Sequence, residues 1–229
     1  MIQGIRSDGE QQCRQAAHPL VRKSRSARAL CLLAGMLCAG GEAMAIETLG
    51  YETIEQDGPF ELRRIEPHVV AQTFVEGDFD DVGTEGFRRL VRFISGENQK
   101  QSKISMTAPV GQETASEEIA MTAPVGQERA GDRFRITFMM PSEYTLEDLP
   151  TPTDDRITLR AEPGRDVASI RYSGFWSRSR YDAHERKLRD WIQAQGLEVL
   201  SEPVWARYDP PFMPWFFRRN EILIEVREP

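Results

Sequence analysis

The sequence has few cysteines, and none of them lies where a folded domain would use it. All three, Cys13, Cys31 and Cys38, fall within the first 45 of the 229 residues. Residues 46–229 therefore offer no disulfide, no thiolate metal site and no cysteine nucleophile. Only two of the three histidines, His68 and His184, lie in that part of the chain. Two isolated histidines do not suggest a zinc site.

Motifs of the common enzyme classes are missing as well. The chain contains no G-x-G-x-x-G, no Walker loop, no G-x-S-x-G nucleophile motif and no H-E-x-x-H zinc motif. The sequence therefore gives no recognisable catalytic constellation, and we expect a protein that is not an enzyme.

Long hydrophobic runs are also scarce, and the one that stands out is short. Basic residues at 22, 23, 25 and 28 precede the apolar run Ala29–Gly41, and Ala43 and Ala45 follow it at the spacing of a cleavage site. This layout is typical of a secretory signal peptide. We expect residues 1–45 to be an N-terminal extension with that signal, and the mature chain to be exported to the periplasm. The alternative is a membrane anchor made by the uncleaved signal, but 13 apolar residues are too few for a stable transmembrane helix.

Basic residues are fewer than acidic residues in the part of the chain that follows residue 45. Residues 1–45 carry six of the 29 basic and three of the 36 acidic side chains, which leaves residues 46–229 with 23 and 33 and a formal net charge of −10. So acidic a domain repels a phosphate backbone unless it has a strong basic patch. We therefore expect no nucleic-acid partner.

The pattern of residues 46–229 predicts an α+β fold. Alternating apolar and polar residues indicate strands, and helical spacing of apolar residues is found at Asp78–Ser95 and Ser177–Gln195. Gly83 and Gly86 weaken the first half of the first helix. We predict a distorted antiparallel β-barrel or curved sheet with two α-helices packed against it. The predicted strands are 51–55, 60–65, 69–75, 133–139, 157–161, 167–173, 197–208 and 221–226.

An eight-residue segment occurs twice. Met106–Glu113 recurs identically as Met121–Glu128, 15 residues later. Each copy contains a proline, which confines it to a strand end, an edge or a bulge. We predict two short paired segments connected by residues 114–117.

Several motifs together resemble the SOUL haem-binding family. They are the M-T-A-P-V core of the repeat, the strand Phe60–Pro67, and Tyr208–Pro211 leading to Arg218–Glu221, and the resemblance runs from about Tyr51 to Val226. It implies that residues 46–229 form a SOUL-like domain that binds haem or another tetrapyrrole, not necessarily retained, in a shallow apolar site beside the first helix and the late proline-rich loop. Some members have a histidine in the second strand, where this chain has Arg64.

Haem needs an apolar platform and cations for its propionates. Consecutive bulky residues beside prolines in the loop 209–220 cannot all point inward, so we expect an exposed apolar surface there. His68 is the candidate iron ligand, whereas His184 is expected to be a half-buried residue of the second helix. The candidate haem-binding residues are Phe87, Leu90, Val91 and Arg92 on the first helix and Met213, Trp215, Phe216, Arg218 and Arg219 in the loop.

Two alternatives stay open at this point. An enzyme acting on an apolar small molecule would need a buried carboxylate such as Glu185 or Glu61 paired with a tyrosine or histidine. A protein-interaction domain would use the aromatic loop to contact a protein partner.

Overall fold

A computed structural model describes residues 46–100 and 116–228. The described residues contain helices α1 (Phe79–Ile94) and α2 (Arg178–Ala194). The strands are β1 (Tyr51–Asp57), β2 (Phe60–Ile65), β3 (His68–Val75), β4 (Asn98–Gln99), β5 (Val125–Ala130), β6 (Arg133–Met139), β7 (Thr151–Pro152), β8 (Ile157–Glu162), β9 (Arg165–Tyr172), β10 (Glu198–Val199), β11 (Val204–Arg207) and β12 (Asn220–Arg227).

Ten of these strands form one antiparallel sheet. Its order is β1-β2-β9-β12-β11-β5-β6-β3-β8, with β10 beside β12, while β4 and β7 pair separately. The sheet is curved and open, because β1 and β8 are its edges. The predicted α+β class, with two helices on a curved antiparallel sheet, is confirmed. None of the described helices is long and apolar enough to cross a membrane.

Both helices pack on the same face of the sheet, which we call the helix face. Helix α1 contacts β3 and β6, and α2 contacts β9 and β12. Alternate strand residues point into one core, where Phe93, Ile136, Leu188, Trp205 and Ile222 are almost completely buried. The other set of alternate residues lies on the second face, where Ile65, Val167, Ala206 and Leu223 form a smaller apolar cluster.

Gly86 of α1 has a packing role that the sequence pattern did not reveal. A Cβ atom added to Gly86 would lie 2.4 Å from Cγ1 of Ile136 in β6. The glycine therefore lets the helix backbone approach the sheet closely, and this contact compensates for its poor helix propensity. Two aspartates in the first turn, Asp80 and Asp81, stabilise the helix start through the helix dipole.

The predicted second helix is confirmed, but the strand expected after it is not continuous. Gly196, with φ of +72°, ends α2 in the left-handed conformation that glycine favours. The prediction of one strand over 197–208 is wrong, since β10 and β11 are separated by residues 200–203. The Leu200 backbone N–H bonds to Glu225 O, and Pro203 has no N–H to continue the ladder.

The described chain ends at Lys100 and resumes at Ser116, and the two flanks are held together. The Asn98 side chain donates to Phe93 O and to Glu117 O, each at 2.7 Å, and accepts from the Glu117 N–H at 2.9 Å. Lys100 also pairs with Glu117 at 3.4 Å. We call this arrangement the Asn98 clamp. The first copy of the repeat lies outside the described residues, whereas the second leads into β5 with its proline, Pro124, just before the strand.

Candidate ligand-binding site

The loop between β11 and β12 exposes a set of aromatic rings. Phe212 is 84% exposed and Phe217 70% exposed, and Trp215 and Phe216 are about half exposed. Phe175, in the connection before α2, stacks on Trp215 with ring centroids 5.2 Å apart. Trp215 contacts Phe216 at 5.4 Å, and Phe216 contacts Phe217 at 4.6 Å. We call Phe175, Trp215, Phe216 and Phe217, together with the exposed Phe212 of the same loop, the aromatic patch; an exposed apolar surface of this kind usually marks a binding site.

Internal contacts fix the loop that carries the patch. The Arg218 guanidinium donates to Met213 O at 2.8 Å and lies 4.5 Å from the centre of the Trp176 ring. Trp176 in turn donates from its indole nitrogen to Asn220 Oδ1 at 2.7 Å. The exposed rings therefore sit on a supported base, which lowers the entropy cost of binding a flat ligand.

Arginines next to the patch differ in their exposure and in how far their guanidinium groups are bonded within the protein. Arg219 lies 3.9 Å from the centre of the Tyr208 ring and pairs with Glu221 at 2.8 Å, so its charge is balanced by a buried carboxylate. Arg218 is partly exposed but bonded within the loop. Arg180 is exposed and packs over Gly174, directly before Phe175.

The predicted residues of α1 are placed elsewhere. Leu90 is fully buried and belongs to the core. Phe87 and Val91 are half-buried, and Phe87 contacts Phe138 of β6 with ring centroids 5.4 Å apart. Arg92 is exposed, and its Nε lies 3.9 Å from Glu97. The structure thus brings Trp215 and Phe216 together with Phe175. Arg218 connects the backbone of Met213 to Trp176, whereas the contacts of α1 run to β3 and β6.

His68 lies on the second face of the sheet. Its Nδ1 is 2.8 Å from Glu66 O, and it lines a cavity together with Val70 and Glu162. Burial lowers the pKa of His68, and the nearby charge of Arg165 adds to the shift. Trp176 contacts Arg207, whose guanidinium is on the helix face beside Tyr181. His68 and the aromatic patch are therefore on different sides of the sheet.

His184 is a half-buried residue of α2, as expected. Its ring stacks on Tyr172 at 3.9 Å, and its Nδ1 lies 2.8 Å from Arg180 O. Burial lowers the pKa of His184. The stacking on Tyr172 and the contact with Arg180 O explain the position of the His184 ring without a bound ligand.

A buried ionic cluster lies beneath the loop. Glu221, with no exposed side-chain area, accepts from Arg63 at 2.7 Å and from the Tyr208 hydroxyl at 3.0 Å, and it also pairs with Arg219. Burial alone would raise the pKa of Glu221, but the hydrogen bonds and charges of Arg63 and Arg219 outweigh it and lower the pKa. The cluster joins β2 to β12 and supports the base of the loop.

The carboxylates considered for catalysis are engaged in ion pairs. Glu61 pairs with Arg63 at 2.7 Å, and Glu185 pairs with Arg189 at 2.9 Å. Within residues 46–100 and 116–228, no three His, Cys, Asp or Glu side chains are grouped to hold a metal ion.

Sequence reasoning missed three residues of this site: Phe175, Trp176 and Arg180. Phe175 and Trp176 are adjacent bulky residues after Gly174, just before α2. That local signal resembles the one that identified the β11–β12 loop. Their contact with the loop depends on pairing between β9 and β12, such as Tyr172 with Asn220, which the sequence pattern does not specify.

Comparisons with known proteins assign the chain to a family. Heme-binding protein 1 of Xenopus tropicalis is 30% identical over 73% of this chain and 84% of its own length. Heme-binding protein 2 of Homo sapiens is 29% identical over 82% of this chain and 90% of its own length. Among solved structures, the C-terminal domain of EcmrR covers 78% of this chain and 99% of its own at 11% identity and a TM-score of 0.49, too distant a likeness to bear on function. The model of the SOUL heme-binding protein family matches residues 46–225, and the chain belongs to that family.

Proposed function

We propose that this chain binds haem or another tetrapyrrole reversibly, with one face of the macrocycle on the aromatic patch. The observation that carries the proposal is the exposure of five clustered aromatic rings in a member of this family. Relatives at 29–30% identity bear the name heme-binding protein. The role is that of a carrier or scavenger, without chemistry on the ligand.

The chemistry of the patch suits a porphyrin. Its rings offer exposed apolar surface to a macrocycle, with Phe175 and Trp215 stacked and Phe216 perpendicular to Trp215. Arg180 and Arg218 flank the patch as partners for anionic propionates. Arg92 and Arg219 were also predicted as partners, but the pairing of Arg219 with Glu221 makes Arg180 the better candidate.

The expected affinity is moderate. Covering about 300 Å² of apolar surface contributes about 7 kcal/mol at about 25 cal/mol/Å². The loss of translational and rotational freedom offsets several kcal/mol of that contribution. Charge-assisted hydrogen bonds to the two propionates add about 3–6 kcal/mol. The total then comes near the roughly 8 kcal/mol of micromolar binding without an iron ligand, and His68, on the other side of the sheet, is not required.

An absorption titration tests this proposal. Ferric haem is added to the purified chain, and iron-free protoporphyrin is titrated in parallel. We expect a saturable change of the Soret band in the micromolar range and similar affinities for the two ligands. An unchanged Soret spectrum would contradict tetrapyrrole binding, and binding of haem alone would show that iron ligation matters.

The aromatic patch also favours a second candidate, a contact with a protein partner. Phe212, in the same loop, is 84% exposed, which is unusual for a phenylalanine in a free domain. Gel filtration of the chain and of a Trp215→Ser/Phe216→Ser variant separates the two functions. A dimer or complex that is lost in the variant, without any porphyrin present, would support the partner.

We further propose that the chain works after export to the periplasm, with residues 1–45 removed. The charged, apolar and small-residue layout of that segment supports the proposal. Fractionation of a Gram-negative host and the mass of the recovered chain test it. A full-length chain in the membrane fraction would favour the uncleaved anchor instead.

A further inference from the structure

The second face of the sheet contains an open cavity of about 300 Å³ that the proposed function does not use. Residues from five strands form most of its apolar floor, because curvature of the sheet brings alternate side chains of these strands toward each other. We call this cavity the trough. Its floor residues include Ile65, Val70, Val167, Val204, Ala206 and Leu223.

One wall of the trough is polar and is organised around a buried carboxylate. Glu162 is 7% exposed and accepts from Arg135 at 2.9 Å and from Arg165 at 3.2 Å. Arg135 also donates to Glu128 at 2.9 Å and to Gln72 at 3.2 Å. The donors of Arg135 are thus largely used within the protein.

The other two arginines of the wall keep unused donors. Arg160 is 58% exposed and approaches Glu162 only to 3.6 Å, which is too long for a good hydrogen bond. Arg165 makes the one bond to Glu162, and its Nε is 3.9 Å from Glu225. A guanidinium has five N–H donors. The wall therefore has more donors than acceptors to satisfy them.

The free donors of the arginines, rather than a net charge of the lining, favour an anion. Burial would raise the pKa of Glu162, but Arg135, Arg165 and Arg160 outweigh burial and lower it, so Glu162 is ionised and offsets part of the arginine charge. The pKa of His68 is lowered, so the neighbouring ring contributes no charge at neutral pH. The trough is also lined by Glu128, which pairs with Arg135 at 2.8 Å, and by Glu225, which lies 3.9 Å from Arg165, so three arginines face three carboxylates.

We propose that the trough is a second ligand site, which takes a small apolar molecule with one carboxylate, such as a medium-chain fatty acid. The carboxylate binds to Arg160 and Arg165, and the apolar part lies over Val167, Val204 and Leu223. The volume is at the lower end of small-molecule sites, which suits a short chain rather than a large macrocycle. The site is separate from the aromatic patch, since the two lie on different sides of the sheet.

Titrations with three ligands of equal chain length test the head group. Octanoate, 1-octanol and octylammonium are each added to the full chain, and amide chemical shifts are followed by NMR. We expect saturable octanoate binding with shifts at trough residues, weaker binding of the alcohol and the weakest of the ammonium. Octylammonium binding as tightly as octanoate would overturn the proposal, as would shifts that map outside the trough.

Two variants and a matched control test the residues. Arg160→Gln is expected to weaken octanoate about tenfold, which corresponds to about 1.4 kcal/mol, and to leave 1-octanol unchanged. The control is Arg64→Gln, which also removes an exposed sheet arginine from a single ion pair, with Asp166 outside the trough. It should leave octanoate binding unchanged. Val204→Phe fills the floor and should weaken both ligands.

Equal octanoate affinity in wild type and Arg160→Gln would overturn the assignment; because Arg160 is exposed, a folding defect would not confuse this result. Haem titrations in the presence of saturating octanoate keep the two proposals apart. Unchanged haem affinity is expected for two separate sites. Competition between the ligands would refute the separation, whereas absent haem binding with intact octanoate binding would affect the proposed function alone.

Discussion

Replacement of Phe216 by serine tests the aromatic patch most directly. Phe216 is 53% exposed. Among the described residues, its ring contacts are with Trp215 and Phe217 of the same loop. A fully covered aromatic side chain buries about 150–250 Å², so its exposed half offers about 80–130 Å². A flat ligand on one side covers about half of that area and gains about 1 to 1.6 kcal/mol at about 25 cal/mol/Å². We therefore expect Phe216→Ser to weaken haem binding about five- to fifteenfold.

The assay is the Soret titration, with circular dichroism and thermal unfolding as checks on the fold. Stability should change by less than about 0.5 kcal/mol, because the position is at the surface. Leu200→Ser is the control, since Leu200 is 43% exposed but lies between β10 and β11 rather than in the patch. Haem affinity within twofold of wild type for Phe216→Ser, or an equal loss for Leu200→Ser, would refute the assignment of the site.

Four further predictions concern the remaining features. Glu221→Gln leaves Arg63 and Arg219 without their buried carboxylate, and urea unfolding should show a loss of about 3 kcal/mol; a loss below about 1 kcal/mol would argue against the cluster. Gly86→Ala places a methyl group against Ile136 and should cost about 1–3 kcal/mol, whereas Thr84→Ala on the exposed side of α1 should cost little. The lowered pKa values of Glu162 and Glu221 mean that their stabilisation is present above the unfolded value of about 4.3 and is lost as the pH falls through the folded values; the melting temperature should drop on acidification below about pH 4.3, and Glu162→Gln should flatten that dependence. His68→Ala should leave the affinities for haem and protoporphyrin equal to wild type, and a selective loss of haem binding would identify His68 as an iron ligand after all.

The helices and most strands could be predicted because their patterns are local. Helix α1 differs by one residue at each end from the predicted 78–95, and α2 likewise from 177–195. The sheet order could not be predicted, because β5 pairs with β11 and β2 with β9 across long stretches of chain. The break between β10 and β11 has a local signal in Pro203, but its position also depends on how β12 is shared by both strands.

The site was predictable in part. Bulky residues beside prolines indicated an exposed loop, and the exposure of Trp215 and Phe216 agrees with that expectation. The helical pattern could not distinguish a ligand platform from a core, and Leu90 turned out to be fully buried. The roles of Phe175 and Trp176 arise from strand pairing and could not be inferred from their neighbours in sequence.

The Asn98 clamp has a consequence for how the sequence can vary in length. The clamp joins the residues before Lys100 to those after Ser116, so the two ends of the connection between them are held together. For a connection between two points that are already held together, the closure cost rises by only about 0.6 kcal/mol per doubling of length. Extra residues can therefore be added between these two points while the sheet keeps its register, which makes this point a natural place to insert a reporter peptide or a protease site.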